Sequence, residues 1–312
     1  MAAPSTSEIL AARPGKHPVD PWRPYAYLVE LERTEVGRIE PVATIFLTNR
    51  ECPLRCLMCD LWRNTTDDPV PLGAIPRQID YALERLPAAR RIKLYNSGNF
   101  FDRRAIPPED HPAIAERVRQ FDRVIVENHP RWCDERVVQF REQLDSGLEV
   151  ALGLETIHPE VLPRLNKQMT ADDFRRAAEF LVDHGIAVRT FILLRPPWLD
   201  EAEGVEWAVR SIEFAFECGA DCCAVIPTRG GNGIMERLAR EGVYRPPRIE
   251  SLEAVMESVL PRASGRLFAD LWDAESFSTC DQCAAARIER LRRMNETQQV
   301  APRVECDCER AV

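Results

Sequence analysis

Lysine is scarce in this chain, and long apolar runs are absent. Only three of its 41 basic residues are lysines (Lys16, Lys93 and Lys167), and 50 acidic residues leave a formal net charge of −9. A protein that coats nucleic acid by neutralising phosphates is basic, so this composition excludes broad, sequence-independent nucleic-acid binding and allows at most a local basic patch. No apolar stretch approaches the roughly 20 residues that span a bilayer. The first seven residues carry no charged region followed by an apolar core, so no secretion signal is predicted.

The remaining composition is typical of a globular protein. With 312 residues, 45% of them hydrophobic and 7% aromatic, the chain is long enough for one large α/β barrel or two domains. Eleven cysteines in such a chain indicate metal ligands and free thiols in a reducing compartment rather than a disulfide framework. We therefore expect a cytoplasmic protein with a metal centre and no membrane association.

Three of the cysteines lie within eight residues of one another. Cys52, Cys56 and Cys59 have the spacing C-x3-C-x2-C and directly follow the apolar run 42–47. Three thiolates on one tight loop can hold three corners of a cubane iron–sulfur cluster, which leaves the fourth iron free for a substrate or cofactor. An electron-transfer ferredoxin uses four cysteines per cluster, and zinc sites usually recruit four ligands. The spacing favours the open cluster over the alternatives, a zinc site or three core cysteines.

This motif after a first strand resembles that of the radical S-adenosylmethionine (SAM) superfamily. The resemblance implies that the open iron of a [4Fe-4S] cluster binds SAM, and that one electron from the cluster releases a 5′-deoxyadenosyl radical. It also implies an electron donor of flavodoxin or ferredoxin type. The residue before the last cysteine is usually aromatic in this superfamily. Here it is Met58, a soft apolar residue that can pack on an adenine.

Six short apolar runs alternate with charged stretches of helical period. They predict strands at 42–47, 92–95, 124–127, 150–154, 188–194 and 222–226. Such alternation predicts a parallel sheet with right-handed crossovers, either a barrel or an open sheet. The resemblance implies that this α/β fold is a barrel, namely a partial (β/α)6 TIM-like barrel. We expect an N-terminal extension over 1–38, the barrel over 39–226, and a metal-stapled C-terminal extension over 227–312.

Polar residues follow several of these strands, at the edge where such barrels carry their chemistry. The turn after the second strand exposes backbone groups, and the resemblance implies that it binds the SAM amino group. Carboxylates after the third and fourth strands are candidates for the SAM ammonium, the ribose hydroxyls or the substrate. An arginine after the fifth strand is a candidate for the SAM carboxylate or a substrate phosphate. The predicted cofactor-binding set is Met58, Asn96, Ser97, Gly98, Glu127, Glu155, Arg195 and Ile226. The alternatives are a plain turn, solvated carboxylates and a helix-start salt bridge of Arg195, and no catalytic acid or base is predicted.

A second cysteine set lies near the end of the chain. Cys280 and Cys283 precede an arginine-rich stretch of helical period, and Cys306 and Cys308 follow it. Two pairs that flank a helix can close into a tetrahedral four-thiolate site. We predict structural zinc here, because a short tail with little core of its own gains stability from a metal. A second iron–sulfur cluster and free thiols are the alternatives.

Longer segments resemble one subfamily of the elongator-like branch, the radical SAM subunit of archaeosine synthase. Besides the tail cysteines, they are Leu54–Asn64, Asn96–Phe100, Gly153–Thr156, Asn166–Lys167, Leu193–Pro197 and Tyr244–Pro247. The resemblance implies modification of a deazaguanine base in tRNA after a partner enzyme has attached lysine, with hydrogen abstraction from the lysine side chain and cleavage of a C–N bond. A radical SAM enzyme for a small molecule or peptide is one alternative. A non-catalytic iron–sulfur or zinc binding module is the other.

Overall fold

A computed structural model describes residues 3–310, which form one curled eight-stranded sheet with helices around it. The strands are β1 (Ala26–Arg33), β2 (Ile39–Phe46), β3 (Arg91–Tyr95), β4 (Arg123–Asn128), β5 (Gly147–Glu155), β6 (Ala187–Leu194), β7 (Cys222–Pro227) and β8 (Arg266–Ala269). The α-helices are α1 (Thr6–Ala12), α2 (Ala74–Leu83), α3 (His111–Val118), α4 (Glu135–Glu142), α5 (Val161–Arg164), α6 (Ala171–Asp183), α7 (Glu201–Glu217), α8 (Ile234–Arg240), α9 (Ile249–Val259) and α10 (Ala284–Thr297). Short 3-10 helices lie at Leu61–Asn64, Pro108–Asp110, Pro130–Trp132, Leu260–Arg262, Ala274–Phe277 and Asp307–Arg310.

The strands follow one another across the sheet in chain order. β1 pairs antiparallel with β2, and all later neighbours pair parallel. This confirms the predicted α/β partial barrel and its six strands, but the sheet has eight strands because β1 and β8 add one at each edge. Glu30 and Glu32 interrupt the apolar pattern of β1, and β8 has only four residues, so neither gives a strong strand signal. Both predicted extensions thus contribute a strand to the sheet, while the domain limits stay a prediction.

Helix α6 shows how local sequence sets an element. Thr170 accepts a hydrogen bond from the Asp173 amide (3.1 Å), and the Asp173 carboxylate accepts one from the Thr170 amide (2.7 Å). This capping box satisfies amide groups that the first helical turn leaves without partners. Gly185, with a φ of +67°, ends the helix in the left-handed conformation that glycine adopts most easily. Residues in the local sequence thus set both ends of α6.

The two faces of the sheet have opposite chemistry, because side chains alternate along a strand. On β3, Ile92 and Leu94 belong to the main apolar core, which lies between the outer face and the helices. Lys93, between them, is buried on the inner face. Glu149 of β5 is fully buried there as well. The inside of the half-barrel is thus polar near the amino ends of the parallel strands.

These inner charges form one connected ion-pair network. Glu32 of β1 contacts Lys93 (2.6 Å) and Arg189 of β6 (2.5 Å). Glu149 contacts Arg189 (2.6 Å) and Arg266 of β8 (3.2 Å). Buried charges are tolerated only when they are paired in this way. Since Glu32 lies on the first strand and Arg266 on the last, the network joins both edges of the open sheet across its interior.

Helix α10 covers the β8 edge of the sheet. The Asn295 side-chain amide bonds both the N–H and the C=O of Ala269 (2.8 and 2.9 Å), and Gln298 does the same for Leu267 (2.7 and 2.8 Å). Two side-chain amides thus occupy the backbone groups that a ninth strand would use. An edge satisfied in this way is protected from pairing with another chain.

Candidate functional site

The loop with the three predicted cluster cysteines begins just beyond the carboxyl end of β2. Within it, the Cys59 amide donates to the Cys56 carbonyl at 3.2 Å. The indole of Trp62 donates to the Cys59 carbonyl (3.1 Å), and the Asn232 amide group donates to the Leu57 carbonyl (2.7 Å). Side chains from both sides therefore hold the backbone of this loop in one shape.

The three thiols lie in a partly enclosed environment. Burial raises the pKa of Cys52 and Cys56 to about 11 and that of Cys59 to about 12. Buried thiols favour the protonated form unless a positive charge stabilises the thiolate, which a metal centre does. Asn99 donates a hydrogen bond to the Cys52 sulfur at 3.2 Å. This is the kind of outer contact that orients a metal-binding thiolate.

The turn after β3 lies directly against this loop. A Cβ added to Gly98 would lie 3.4 Å from the Cys52 Cβ, so the backbones approach closely at this point. Ser97, in the same turn, has a backbone φ of +51°, which lies in the left-handed region that residues other than glycine seldom adopt. The Asn96 side chain is fully buried, and neither its amide oxygen nor its nitrogen has a partner among the described residues. Because buried polar groups are nearly always satisfied, this amide is a candidate ligand contact.

Glu127, at the end of β4, supports that turn from below. Its carboxylate accepts hydrogen bonds from the backbone amides of Asn96 (2.6 Å) and Gly98 (3.2 Å). Burial raises the pKa of Glu127, and these hydrogen bonds oppose the shift. Tyr25, from the segment before β1, is hydrogen-bonded to the Ser97 hydroxyl at 2.9 Å. Glu127 is therefore a half-buried support of the turn, and its hydrogen bonds to two backbone amides do not fit the alternative of a solvated carboxylate.

Glu155, at the end of β5, forms an ion pair with Lys167. The side chains of the two residues are only 8% and 11% exposed. Glu155 has a φ of +66°, next to an irregularity in the pairing of β5 with β6. The alternative of a solvated loop carboxylate is therefore wrong for Glu155, since it is a buried charge with a buried partner.

Two predicted apolar contacts share one cluster beside the cysteine loop. Met58 and Ile226 are both half-buried and pack against buried residues that include Leu57 and Leu193. Ile226 lies on β7, whereas Met58 lies between two cysteines. Only the folding of the barrel brings these two residues to the same apolar surface.

The segment before β1 packs against the cysteine loop. Glu51, the residue before the first cysteine, forms ion pairs with Arg13 and Lys16, both at 2.8 Å. Ile9 of α1 is buried in the same apolar cluster as Leu57. The start of the chain therefore holds the loop in place from its outer side.

The four tail cysteines meet at one point. Their sulfur atoms all lie within 4.8 Å of one another. Cys280 and Cys306 are 3.9 Å apart at sulfur, and Cys283 and Cys308 are 3.7 Å apart. Four thiolates about 2.3 Å from one tetrahedral ion stand about 3.8 Å apart. The set thus has the spacing for a single metal ion.

The tail site is joined to the barrel through α10. Arg287 donates to the Cys283 sulfur at 3.4 Å and forms a buried ion pair with Glu253 of α9. Arg290, one turn further on, contacts the same carboxylate at 3.0 Å. These contacts fix the helix that covers the β8 edge, so the tail site and the sheet edge form one structural unit.

Comparison with known proteins assigns the chain to a family. The model of the radical SAM superfamily matches residues 46–227, which is more than half of the chain. The protein belongs to the radical SAM superfamily. It is accordingly a radical SAM enzyme, and the family uses SAM, a [4Fe-4S] cluster and an electron donor. Among its described residues, no helix combines the length and apolar character that crossing a membrane requires.

Individual relatives of this radical SAM enzyme come from archaea. It is 29% identical over 268 residues to the archaeosine synthase subunit beta of Methanosarcina acetivorans, across 81% of this chain and 77% of the relative. It is 32% identical over 211 residues to the protein of that name from Thermococcus kodakarensis, across 64% and 65% of the two chains. The structure of Elp3 from Methanocaldococcus infernus shares the fold, with 15% identity and a TM-score of 0.53 over 69% of this chain and 58% of that chain.

One predicted SAM contact of this radical SAM enzyme, Arg195, is occupied by other partners in the structure. Arg195 pairs with Glu201 at the start of α7 and donates to the Pro246 carbonyl at 2.9 Å. This is the helix-start salt bridge that the sequence offered as the alternative for Arg195. The other predicted residues lie on the cysteine loop, in the turn after β3, or at the carboxyl ends of β4, β5 and β7.

Sequence reasoning missed three side chains near the cysteines. Asn99 lies in the predicted SAM turn but was not predicted to contact a thiol. Lys167 is one of only three lysines, and this rarity was the available signal. Tyr25 comes from an extension that offered no motif. Each reaches the site through tertiary contacts that local sequence does not encode.

Proposed function

We propose that Cys52, Cys56 and Cys59 hold the [4Fe-4S] cluster of this enzyme and leave one iron for SAM. Three partly enclosed thiols on one braced loop support this assignment. The loop lies at the carboxyl end of β2, next to the turn after β3, where a Cβ on Gly98 would lie 3.4 Å from the Cys52 Cβ. The hydrogen bond from Asn99 to Cys52 at 3.2 Å is the observation that carries it, because it joins the loop to the turn expected to bind SAM.

We propose that SAM lies between this turn and the apolar cluster around Met58 and Ile226. The orphaned amide of Asn96 offers donor and acceptor atoms to the charged end of SAM. Glu127 holds the turn rigid from below, so its backbone groups are oriented before SAM arrives. Arg195 is left out of the proposed site, because a contact with SAM would require its ion pair to break.

If bound by the three cysteines, the cluster would supply the electron for reductive cleavage of SAM. The residues of the chain would have two tasks. Met58 and Ile226 present apolar surface to the adenine and exclude water. The turn from Asn96 to Gly98 holds the methionine end, so that the sulfonium keeps one orientation towards the cysteine loop.

We propose a lysine-modified deazaguanine of tRNA as the substrate. The similarity to two proteins named archaeosine synthase subunit beta supports this assignment. In such a reaction the enzyme follows a partner enzyme that attaches lysine to the base. The radical SAM enzyme itself receives its electrons from a flavodoxin or ferredoxin in the reducing cytoplasm. The net charge of −9 requires that tRNA contacts come from local arginine side chains rather than from the whole surface.

We also propose that the tail cysteines bind structural zinc. Sulfur separations of 3.7 and 3.9 Å support a single tetrahedral ion rather than a second cubane. The donation from Arg287 to Cys283 supplies the outer contact that such sites need. The role of the ion is to hold α10 against β8 and α9.

Anaerobic reconstitution tests the cluster assignment. With dithionite and SAM, the reconstituted enzyme should form 5′-deoxyadenosine, and Cys56→Ala should form none while keeping its fold. Cys218→Ala, a buried cysteine of the core, is the matched control and should retain formation. Undiminished 5′-deoxyadenosine from Cys56→Ala would contradict the assignment.

A second assay addresses the substrate. A tRNA transcript that carries the lysine adduct should be cleaved at the C–N bond and should raise 5′-deoxyadenosine formation above the tRNA-free level. An unmodified transcript is the control. If the adduct tRNA keeps its mass and has no effect on 5′-deoxyadenosine, the substrate assignment fails and the radical SAM chemistry stands.

A further inference from the structure

A buried ammonium group lies beside the three cluster cysteines. The side chain of Lys167 is only 11% exposed. Its one ion-pair partner among the described residues is Glu155. The carboxylate of Glu155 stabilises the charged form of the ammonium group. A positive charge therefore lies on the segment that contacts the cysteine loop.

The chain is shaped to keep Lys167 in this place. The residues on either side of it, Asn166 and Gln168, have left-handed φ angles of 53° and 58°. Such angles are unfavourable for residues other than glycine and persist only where surrounding contacts impose them. The Asn166 side chain donates to the Arg55 carbonyl on the cysteine loop at 2.7 Å. The loop and the lysine segment thus hold each other.

Two further contacts attach the same segment. The Leu57 amide, between two of the cysteines, donates to the Leu165 carbonyl at 2.9 Å. On the other side, His129 lies 3.0 Å from the Lys167 carbonyl through Nε2, while its Nδ1 accepts from the Arg131 amide. Since Nδ1 is an acceptor, Nε2 carries the hydrogen and donates to the carbonyl. Burial lowers the pKa of His129 to about 4, so this neutral form persists at physiological pH.

Gly153 shows how closely this pair of charges is packed. A Cβ at this position would collide with both the Glu155 carboxylate and the Lys167 ammonium group. Glycine is thus needed on β5 for the pair to cross the inner face of the strand. No such crowding would be required if Lys167 pointed to solvent.

We propose that Lys167 and Glu155 together set the reduction potential of the cluster, with Lys167 as the positioning charge that favours the reduced state. Reduction adds one electron to the cluster, so a nearby positive charge stabilises the product and a nearby carboxylate destabilises it. These effects are strong where water is excluded, because charges are poorly screened there. The segment that carries Lys167 contacts the loop on both sides of Cys56, at the Arg55 carbonyl and the Leu57 amide. The inference rests on the proposed assignment of the cluster to the three cysteines.

Redox titration of reconstituted enzyme without SAM or tRNA tests this proposal. Lys167→Met should lower the equilibrium constant for one-electron reduction of the cluster at least tenfold, which corresponds to a midpoint potential about 59 mV lower. Glu155→Gln should raise this equilibrium constant. Lys167→Arg should keep the constant within threefold of that of the parent enzyme. Arg119→Met is the control, since Arg119 pairs with Glu116 and Asp145 on the exposed surface, and it should change the constant less than threefold.

Iron and sulfide analysis of each variant separates failure of this proposal from failure of the cluster assignment. A Lys167→Met protein with a full cluster and an unchanged potential would overturn the role of Lys167. If Lys167→Met binds no cluster, the potentials of Glu155→Gln and Lys167→Arg test the proposal instead. A midpoint potential of Glu155→Gln below that of the parent enzyme would overturn it. Because SAM is absent, loss of a SAM contact cannot produce these shifts.

Discussion

Replacement of Asn96 by leucine should stabilise the SAM-free protein and weaken SAM binding at the same time. The amide of Asn96 is fully buried without a partner among residues 3–310. Leaving a buried polar group unsatisfied costs about 1–3 kcal/mol. Leucine has a similar shape and no polar atoms. We therefore expect the free energy of unfolding of SAM-free Asn96→Leu to rise by about 1–3 kcal/mol.

The effect on binding has the opposite sign. In the proposed site, the Asn96 amide bonds charged groups of SAM, and hydrogen bonds to charged groups contribute about 1.5–3 kcal/mol. Since about 1.4 kcal/mol corresponds to a factor of ten, the Kd for SAM should rise about 10- to 150-fold. A gain in stability paired with a loss of affinity is typical of a residue retained for binding rather than for folding.

Anaerobic unfolding with and without SAM measures both quantities on one sample. Asn295→Leu is the matched control, because its amide bonds the N–H and C=O of Ala269 and its loss should destabilise the protein. The reasoning would be refuted if SAM-free Asn96→Leu unfolded more easily than the parent protein and bound SAM with unchanged affinity.

Two further predictions concern the tail and the pH dependence. Cys283→Ser should lose one equivalent of zinc, measured by elemental analysis, and its free energy of unfolding should fall by about 3 kcal/mol or more. The control Cys218→Ser should keep the metal. If Cys283→Ser loses the metal without losing stability, the ion does not hold α10 in place. Burial lowers the pKa of His129 from 6.5 to about 4, so the unfolded chain binds the proton more readily and stability falls as the pH drops from 6.5 towards 4. At 1.36 kcal/mol per pH unit, the loss reaches about 2 kcal/mol at pH 5. Urea unfolding of His129→Gln should show a shallower decline over this range, and parallel curves for the two proteins would count against it.

Much of the fold could be predicted from the sequence because its signals are local. Six apolar runs gave six strands, and the capping residues Thr170 and Gly185 marked both ends of α6. The strands that were missed lie at the sheet edges, where the apolar pattern is weak. β1 carries Glu30 and Glu32 because its inner face meets Lys93 and Arg189. A glutamate in a sequence is expected to be solvent-exposed, and only the ion pairs with Lys93 and Arg189 make Glu32 an interior residue.

The candidate site shows the same division. The cysteine spacing is a local property, so the sequence was sufficient to single out both cysteine sets; the convergence of the tail set is confirmed, and the cluster assignment stays a prediction. Which polar residues after the strands face the site depends on partners far along the chain. Arg195 and Glu155 were both candidates in sequence, yet Arg195 is held by Glu201, whereas Glu155 is held by Lys167 on the segment that contacts the cysteine loop.

The sequence by itself thus determined the residue types and spacings: two cysteine sets, the alternating strands and helices, and membership in a family with known chemistry. Tertiary structure decided which charges share the interior. It placed Lys167 against the cysteine loop, left the Asn96 amide without a partner, and set α10 on the edge of β8. The reason is physical, because the free energy of a buried charge or amide depends on the atoms around it, and those atoms come from distant parts of the chain.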